Sequence, residues 1–219
     1  MGKGQKDWLN DELVKLQGVL KESAVEIAFF ADEAMPFRRP SRAEAEQSGI
    51  VVREAGVLLV MVPDCQNWQL VLMKRTEYPG VHGGQISIPG GEREATDENL
   101  LQTALREFHE EMGIHVKESQ VIGQLSERYI PPSQFAVQPY LAFLPEMPEW
   151  NVDASEVAEV LIIPVEHFIH PHALVSTKIQ IQSGVEVNLP AYHWDGHVIW
   201  GATATILTEW ACAWRRANG

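Results

Sequence analysis

The stretch from residue 97 to residue 112 constrains this chain most, because Leu100, Leu101, Ala104, Leu105, Phe108 and Met112 return to one face at helical spacing. Gly113 is the expected terminator, since glycine readily closes a helix. Before this helix lie two short apolar runs, Ala55 to Val62 and Gln69 to Lys74, separated by a turn at Pro63 and Asp64. Their length and β-branched content predict a buried hairpin. After the helix, strands are predicted around 120–125, 136–144, 158–163 and 177–188, followed by a last helix over about 201–214 that stops before Arg215 and Arg216. Strands on both sides of a central helix predict an α/β fold, a sandwich of helices around a mixed β-sheet.

Upstream, residues 8–30 read as an amphipathic helix through Leu9, Leu13, Leu16, Leu20, Val25 and Ile27, with Asn10 or Asp11 available as its cap. Pro36 and Pro40 punctuate the loop that follows. Residues 1–48 are therefore expected to be a packing or dimerisation element without chemistry of its own, and 49–219 the functional domain. The sequence shows no internal repeat and no low-complexity tract that would divide it further.

Thirty acidic against seventeen basic residues give a net charge of −13, which repels polymeric nucleic acid and anionic membrane surfaces. A small polyphosphate is not excluded, because a divalent cation reverses the local field where carboxylates cluster. Cys65 and Cys212 stand far apart and outside any CxxC pattern, so two free buried thiols are expected rather than a zinc site or redox pair. The first twenty residues carry charges throughout, and no run approaches the roughly 18 apolar residues of a membrane span. A cytoplasmic location with no membrane partner is the expectation.

On the central helix, Glu107, Glu110 and Glu111 stand at i, i+3 and i+4, so their carboxylates project from one face. Like charges at that spacing repel, and a divalent cation turns the repulsion into binding. Oxygen-only ligands favour magnesium, manganese or calcium over zinc. Arg106 is placed to pair with Glu110 at i+4, leaving Glu107 and Glu111 free. Upstream, Gly90 and Gly91 form a turn whose backbone carbonyl is able to reach a cation at the helix.

The segment from Gly90-Gly91 through Asp97 to Arg106-Glu107-Phe-His-Glu110-Glu111-Met-Gly113-Ile114 resembles the Nudix box, Gly-x5-Glu-x7-Arg-Glu-U-x-Glu-Glu-x-Gly-U, where U is apolar. The second half matches throughout. Counting back from Arg106, the first Gly of the pattern falls on Glu92 and the middle Glu on Glu98, so the loop is one residue longer. That longer loop, with an Asp at the place of Asp97, is similar to the coenzyme A pyrophosphatase branch of the family. The stretch Val71 to Thr76, then Gly84 to Gly91, resembles that branch's second signature, as do Pro131-Pro132-Ser133, Glu156 to Val160 and Ile199 to Ala204. Thr76 in place of Ser or Ala, Gly80 in place of a second Arg and Ile88 in place of Phe are departures from it.

The resemblance, spanning about residues 50–210, implies a Nudix-type α/β/α sandwich and a magnesium-dependent pyrophosphohydrolase, with manganese as a substitute metal. It implies that Glu107, Glu110, Glu111 and the Gly91 carbonyl hold the metal, with Arg106 orienting them. Its general base is Glu110, or Glu156 or Glu159 from a later segment folded over the site. The implied substrate is coenzyme A or a derivative, cut to 3′,5′-ADP and (acyl-)4′-phosphopantetheine, and Gly80 predicts weak discrimination of the 3′-phosphate. Another nucleoside diphosphate derivative such as ADP-ribose or NADH, a non-hydrolytic binding module, and a structural protein with a solvated acidic face are the alternatives. Arg75, His82, Gly90 and Gly91 are substrate-contact candidates; His109 and His193 are expected at the surface. Tyr129 to Phe135 is either a wall of the pocket or a rigid loop, and a homodimer is a family expectation.

Overall fold

The computed structural model describes residues 3–33, 38, 40–65, 67–77, 83–181 and 184–219. Helix α1 (Lys3–Glu33) and the short α2 (Arg42–Gln47) precede a hairpin of β1 (Arg53–Pro63) and β2 (Trp68–Arg75). Two short strands, β3 (Ile86–Ser87) and β4 (Gly90–Glu92), lead into α3 (Leu100–Met112). There follow β5 (Val121–Gln124), β6 (Arg128–Ile130), β7 (Phe135–Phe143), β8 (Val157–Pro164) and α4 (Val165–Ile169). The described chain closes with β9 (Val175–Gln180), β10 (Glu186–Trp194), β11 (His197–Ile199) and α5 (Gly201–Asn218).

Strands β3, β2, β1, β7 and β5 lie side by side in that order, with β8 on β2, β4 on β1 and β6 on β7. β1 and β7 run parallel and the other pairs antiparallel, so the sheet is mixed. A smaller antiparallel sheet has the order β11-β10-β9. The middle of the hairpin, Val57–Val62 and Leu70–Met73, is continuously apolar because both of its faces are covered. On one face Leu59, Met61, Leu70 and Leu72 join Leu13, Leu16 and Leu20 of α1 and Leu207, Trp210 and Trp214 of α5. On the other, Leu58, Val60, Val71 and Met73 meet Ala104, Phe108 and Met112 of α3. Alternation by two on the strands and by four on α3 thus builds three layers, helix on sheet on helix.

Several boundaries differ from the sequence-based expectation. Helix α1 begins at Lys3, so Asn10 and Asp11 lie inside it and cap nothing; residues 3–7 carry no large apolar side chain for periodicity to register. Helix α3 begins three residues after 97, because the Asn99 side chain caps it by accepting the Leu101 and Gln102 amides at 2.9 and 3.0 Å. The strand expected over 177–188 is two strands, β9 and β10, reversed at a turn in which Gly184 takes φ +76°. Helix α5 runs on through Arg215 and Arg216, whose charges suit the carbonyl end of a helix. Cys65 and Cys212 are both free, but neither is fully buried as expected: Cys65 is exposed because it sits in the surface turn between β1 and β2, and Cys212 on α5 is only partly covered. No helix among the described residues is long and apolar enough to cross a membrane.

Candidate active site

Strand β1 changes partner along its length: Val60 to Pro63 pair with β2, while Ala55 to Val57 pair with β4. The Leu58 amide donates to the Pro89 carbonyl at 2.9 Å and carries the ladder across the exchange. This brings Gly90 and Gly91 beside Gly56, directly under α3. A Cβ on Gly56 would run into the Leu100 carbonyl and the Ala104 backbone. Gly90 has φ +146°, and a Cβ there would strike the Gly56 carbonyl. On Gly91 a Cβ would sit 2.5 Å from the Glu107 carboxyl carbon. Bare backbone on all three residues is what lets strand and helix close together, with the Glu107 carboxyl laid against Gly91.

The three glutamates of α3 share a face but not an environment. The Glu110 side chain is 55% exposed, that of Glu107 17% and that of Glu111 only 1%, so the cluster runs from solvent into the interior. Burial pushes the Glu111 carboxyl up to about 8, against the opposing pull of Arg75 and the Gly90 amide, while the charges of Glu107 and Glu156 add to the rise. Glu107 is also raised, first by burial and further by Glu110 and Glu156, against the pull of Arg106. One Glu111 oxygen accepts the Gly90 amide at 2.7 Å; the other accepts Arg75 Nη1 at 3.2 Å. Neither Glu107 nor Glu111 is left free, contrary to the expectation from i+4 spacing. Arg106 Nη1 donates to both Glu107, at 2.8 Å, and Glu110, at 2.9 Å.

Arg106 itself is anchored from behind. Its Nε and Nη2 form a fork onto the two oxygens of Asp97, at 3.1 and 3.0 Å, and Nη2 also reaches the Glu92 carbonyl. Asp97 is buried, accepts the Glu94 amide and the Thr103 hydroxyl as well, and is held down to about 2, chiefly by the Arg106 guanidinium. Counting along the sequence pattern puts the middle acid on Glu98, but Glu98 is exposed, and among the described residues its one contact is through its backbone carbonyl, which accepts from Arg93. The extra loop residue is absorbed by turning Asp97 inward. Linear spacing carried no sign of this pairing.

On the other side of the glutamates stands Arg75, at the end of β2. The register of β2 against β8 slips between Lys74 and Arg75, a bulge that re-aims the side chain. Arg75 Nη2 lies 3.8 Å from Glu156 Oε2, so this one guanidinium spans Glu111 and Glu156. The loop bearing Glu156 is tied to β2 by the Thr76 amide on the Glu156 carbonyl, 3.0 Å, and the Thr76 hydroxyl on the Ser155 carbonyl, 2.9 Å. Glu159, the other late carboxylate, belongs elsewhere: it pairs with His197 of β11 at 3.3 Å, and Leu161, two residues on along the same face of β8, packs in the layer of α1 and α5.

The remaining sequence candidates separate cleanly. Gly90 and Gly91 line the glutamates. His109 stacks on His115 with ring centroids 3.4 Å apart, and His193 of β10 shares a 2.7 Å hydrogen bond with Thr177. Tyr129 is buried, and Phe135 is covered by the Arg53 guanidinium at 4.1 Å. His82 and Gly80 lie outside the described residues. Among the described residues no three acidic, histidine or cysteine side chains already converge as a metal cage, since the two arginines draw the glutamates to themselves. The donors nonetheless fit a hard divalent cation: they are all oxygen, and the proton affinities of Glu107 and Glu111 are raised in part by neighbouring carboxylates, Glu110 and Glu156 acting on Glu107 and Glu107 and Glu156 on Glu111, a repulsion that positive charge relieves.

A family model described as NUDIX domain matches residues 52–181. The chain is 30% identical over 160 residues to a Nudix hydrolase NudL of Photorhabdus laumondii, covering 73% of this chain and 83% of that one. It is 31% identical over 144 residues to the human mitochondrial coenzyme A diphosphatase NUDT8, covering 65% of this chain and 60% of the human protein. The mouse peroxisomal coenzyme A diphosphatase NUDT7 is 29% identical over 153 residues, 70% of this chain and 64% of the mouse protein. The chain thus spans less than two thirds of these two diphosphatases. In fold it is similar to a MutT/nudix family protein from Enterococcus faecalis, with TM-score 0.52 and 17% identity over 85% of this chain and 72% of the other.

Proposed function

The chain belongs to the Nudix hydrolase family, whose members hydrolyse pyrophosphate bonds and typically depend on a divalent metal, and from that premise we propose that its substrate is coenzyme A or an acyl derivative. The observation that carries the site is the graded trio Glu107, Glu110 and Glu111 pressed against Gly91 and backed by Arg106. The substrate rests on the similarity to the two coenzyme A diphosphatases, together with the longer loop in which Asp97 has replaced the usual spacing.

In this reading Glu107, Glu110, Glu111 and the Gly91 carbonyl hold Mg²⁺ or Mn²⁺. When bound, the metal supplies charge neutralisation on the diphosphate oxygens and lowers the proton affinity of the attacking water. Arg106 keeps Glu107 and Glu110 aligned, itself fixed by Asp97. Glu156 takes the water proton: it is half exposed, its loop is fixed to β2, and its charge is felt by both Glu107 and Glu111. Water adds to one phosphorus, the bridging P–O bond breaks, and 3′,5′-ADP and (acyl-)4′-phosphopantetheine leave. Arg75, with its planar fork, contacts the diphosphate, which lies along the Gly90–Gly91 backbone.

The test is product analysis with Mg²⁺ across coenzyme A, ADP-ribose, NADH and diadenosine polyphosphates. Coenzyme A is expected to be cleaved fastest; clear preference for ADP-ribose would move the chain to another substrate class. Glu110→Gln and Glu111→Gln are each expected to lose roughly a thousandfold in turnover, the scale of several kcal/mol of transition-state stabilisation. Turnover near wild type in both, at saturating metal, sinks the site assignment.

A further inference from the structure

The proposed chemistry leaves one contact unexplained, that between Arg75 and Glu111. Glu111 is the most deeply buried of the three glutamates, and both of its oxygens are engaged, one by a rigid backbone amide at Gly90 and one by a guanidinium. The guanidinium is not a passing surface contact. The bulge between Lys74 and Arg75 aims it, the Arg75 amide is pinned to the Gln85 carbonyl at 3.0 Å, and the next amide, of Thr76, is pinned to Glu156. Its far nitrogen faces Glu156, so the side chain bridges α3 and the loop before β8.

A carboxylate as buried as Glu111 is costly unless a positive charge compensates it. Arg75 supplies part of that charge from within the fold, and a divalent cation held by the same carboxylate would have to sit a few ångströms from a guanidinium of the same sign. We propose, resting on the metal-dependent reading above, that Arg75 is an internal counter-ion that competes with the divalent cation for Glu111. Metal loading displaces the guanidinium from Glu111 while leaving it beside the cleft, where the diphosphate arrives. An arginine that merely oriented Glu111 behaves oppositely: its removal weakens metal binding instead of strengthening it.

The sign of that change is the test. Calorimetric titration with MnCl₂ in the absence of any nucleotide compares the wild-type chain with Arg75→Gln and Arg75→Met, two replacements of different polarity, each first checked for a cooperative melt so that either one suffices. Removing a unit charge a few ångströms from a dication in a partly buried site is expected to tighten Mn²⁺ binding threefold to tenfold or more, at the order of magnitude Coulomb's law gives with strong screening. Turnover at saturating Mn²⁺ is expected to fall in the same variants, a divergence that loosening of the structure does not produce, since it lowers both. Mn²⁺ affinity unchanged or weakened in a folded variant overturns the competition while leaving the metal reading intact. A wild-type chain that binds no Mn²⁺ overturns the metal reading and this inference with it.

Discussion

Replacing Asp97 by Asn removes one negative charge from behind Arg106 with almost no change of shape, and the structure sets the size of the effect. Asp97 receives a two-pronged contact from Arg106, one amide and one hydroxyl, and its side chain is only 6% exposed, so solvent screening discounts the pairing little. The carboxyl is held down from its ordinary 3.8 to about 2, led by the Arg106 guanidinium. At about 1.4 kcal/mol per pKa unit, that depression is worth about 2 kcal/mol of folding stability at neutral pH. Because the folded-state value is the lower one, the contribution is fully present above the ordinary value and is lost as pH falls through about 2. Asp97→Asn is therefore expected to be less stable than wild type by about 2 kcal/mol at neutral pH and by about 1 kcal/mol near pH 3, because the wild type gives up its advantage as the carboxyl protonates. Equilibrium urea unfolding with the metal chelated, at neutral pH, near pH 5 and near pH 3, measures the gap directly. A gap below about 0.5 kcal/mol at neutral pH, the range of ordinary surface substitutions, would refute the reasoning. So would a gap that stays constant toward acid.

Gly56→Ala drives a methyl into the backbone of α3, which has no side-chain freedom with which to yield, so thermal melting is expected to show a loss of about 1 to 3 kcal/mol; an unchanged melt contradicts the close approach. Gly91→Ala meets instead the movable end of Glu107, so stability is expected to fall by less than about 1 kcal/mol while calorimetry shows Mn²⁺ binding weakened about tenfold. Equal losses in both measurements would speak against Glu107 as a ligand. For Glu111 the sign reverses relative to Asp97, since burial raises its folded-state value to about 8 and stability is present below the ordinary 4.5 and lost as pH rises through about 8. Metal-free Glu111→Gln is accordingly expected to be more stable than metal-free wild type near pH 9, by about 1 kcal/mol or more, although its turnover is lost. Denaturation curves that coincide near pH 9 would show that the Glu111 charge is already compensated.

The layers and the acidic helix face were legible in local pattern along the chain. Apolar runs within Ala55–Val62 and Gln69–Lys74 require strands covered on both faces, and the four-residue recurrence of Ala104, Phe108 and Met112 requires a helix on one of those faces. Local periodicity carries such facts because each depends only on near neighbours along the chain. It equally placed Glu107, Glu110 and Glu111 on one side of the helix. Short elements such as β3, β4 and β6 left no period to read, and the reversal inside 177–188 was hidden within one strand-like run. Which charge meets which was settled in three dimensions: Asp97 rather than Glu98 turns in to grip Arg106, Arg106 holds Glu107 as well as Glu110, and a bulge aims Arg75 at Glu111 while Glu159 is drawn away to His197. Ion pairing acts through space, across 36 positions of sequence in the case of Arg75 and Glu111, and its outcome depends on burial and backbone approach that no spacing rule encodes.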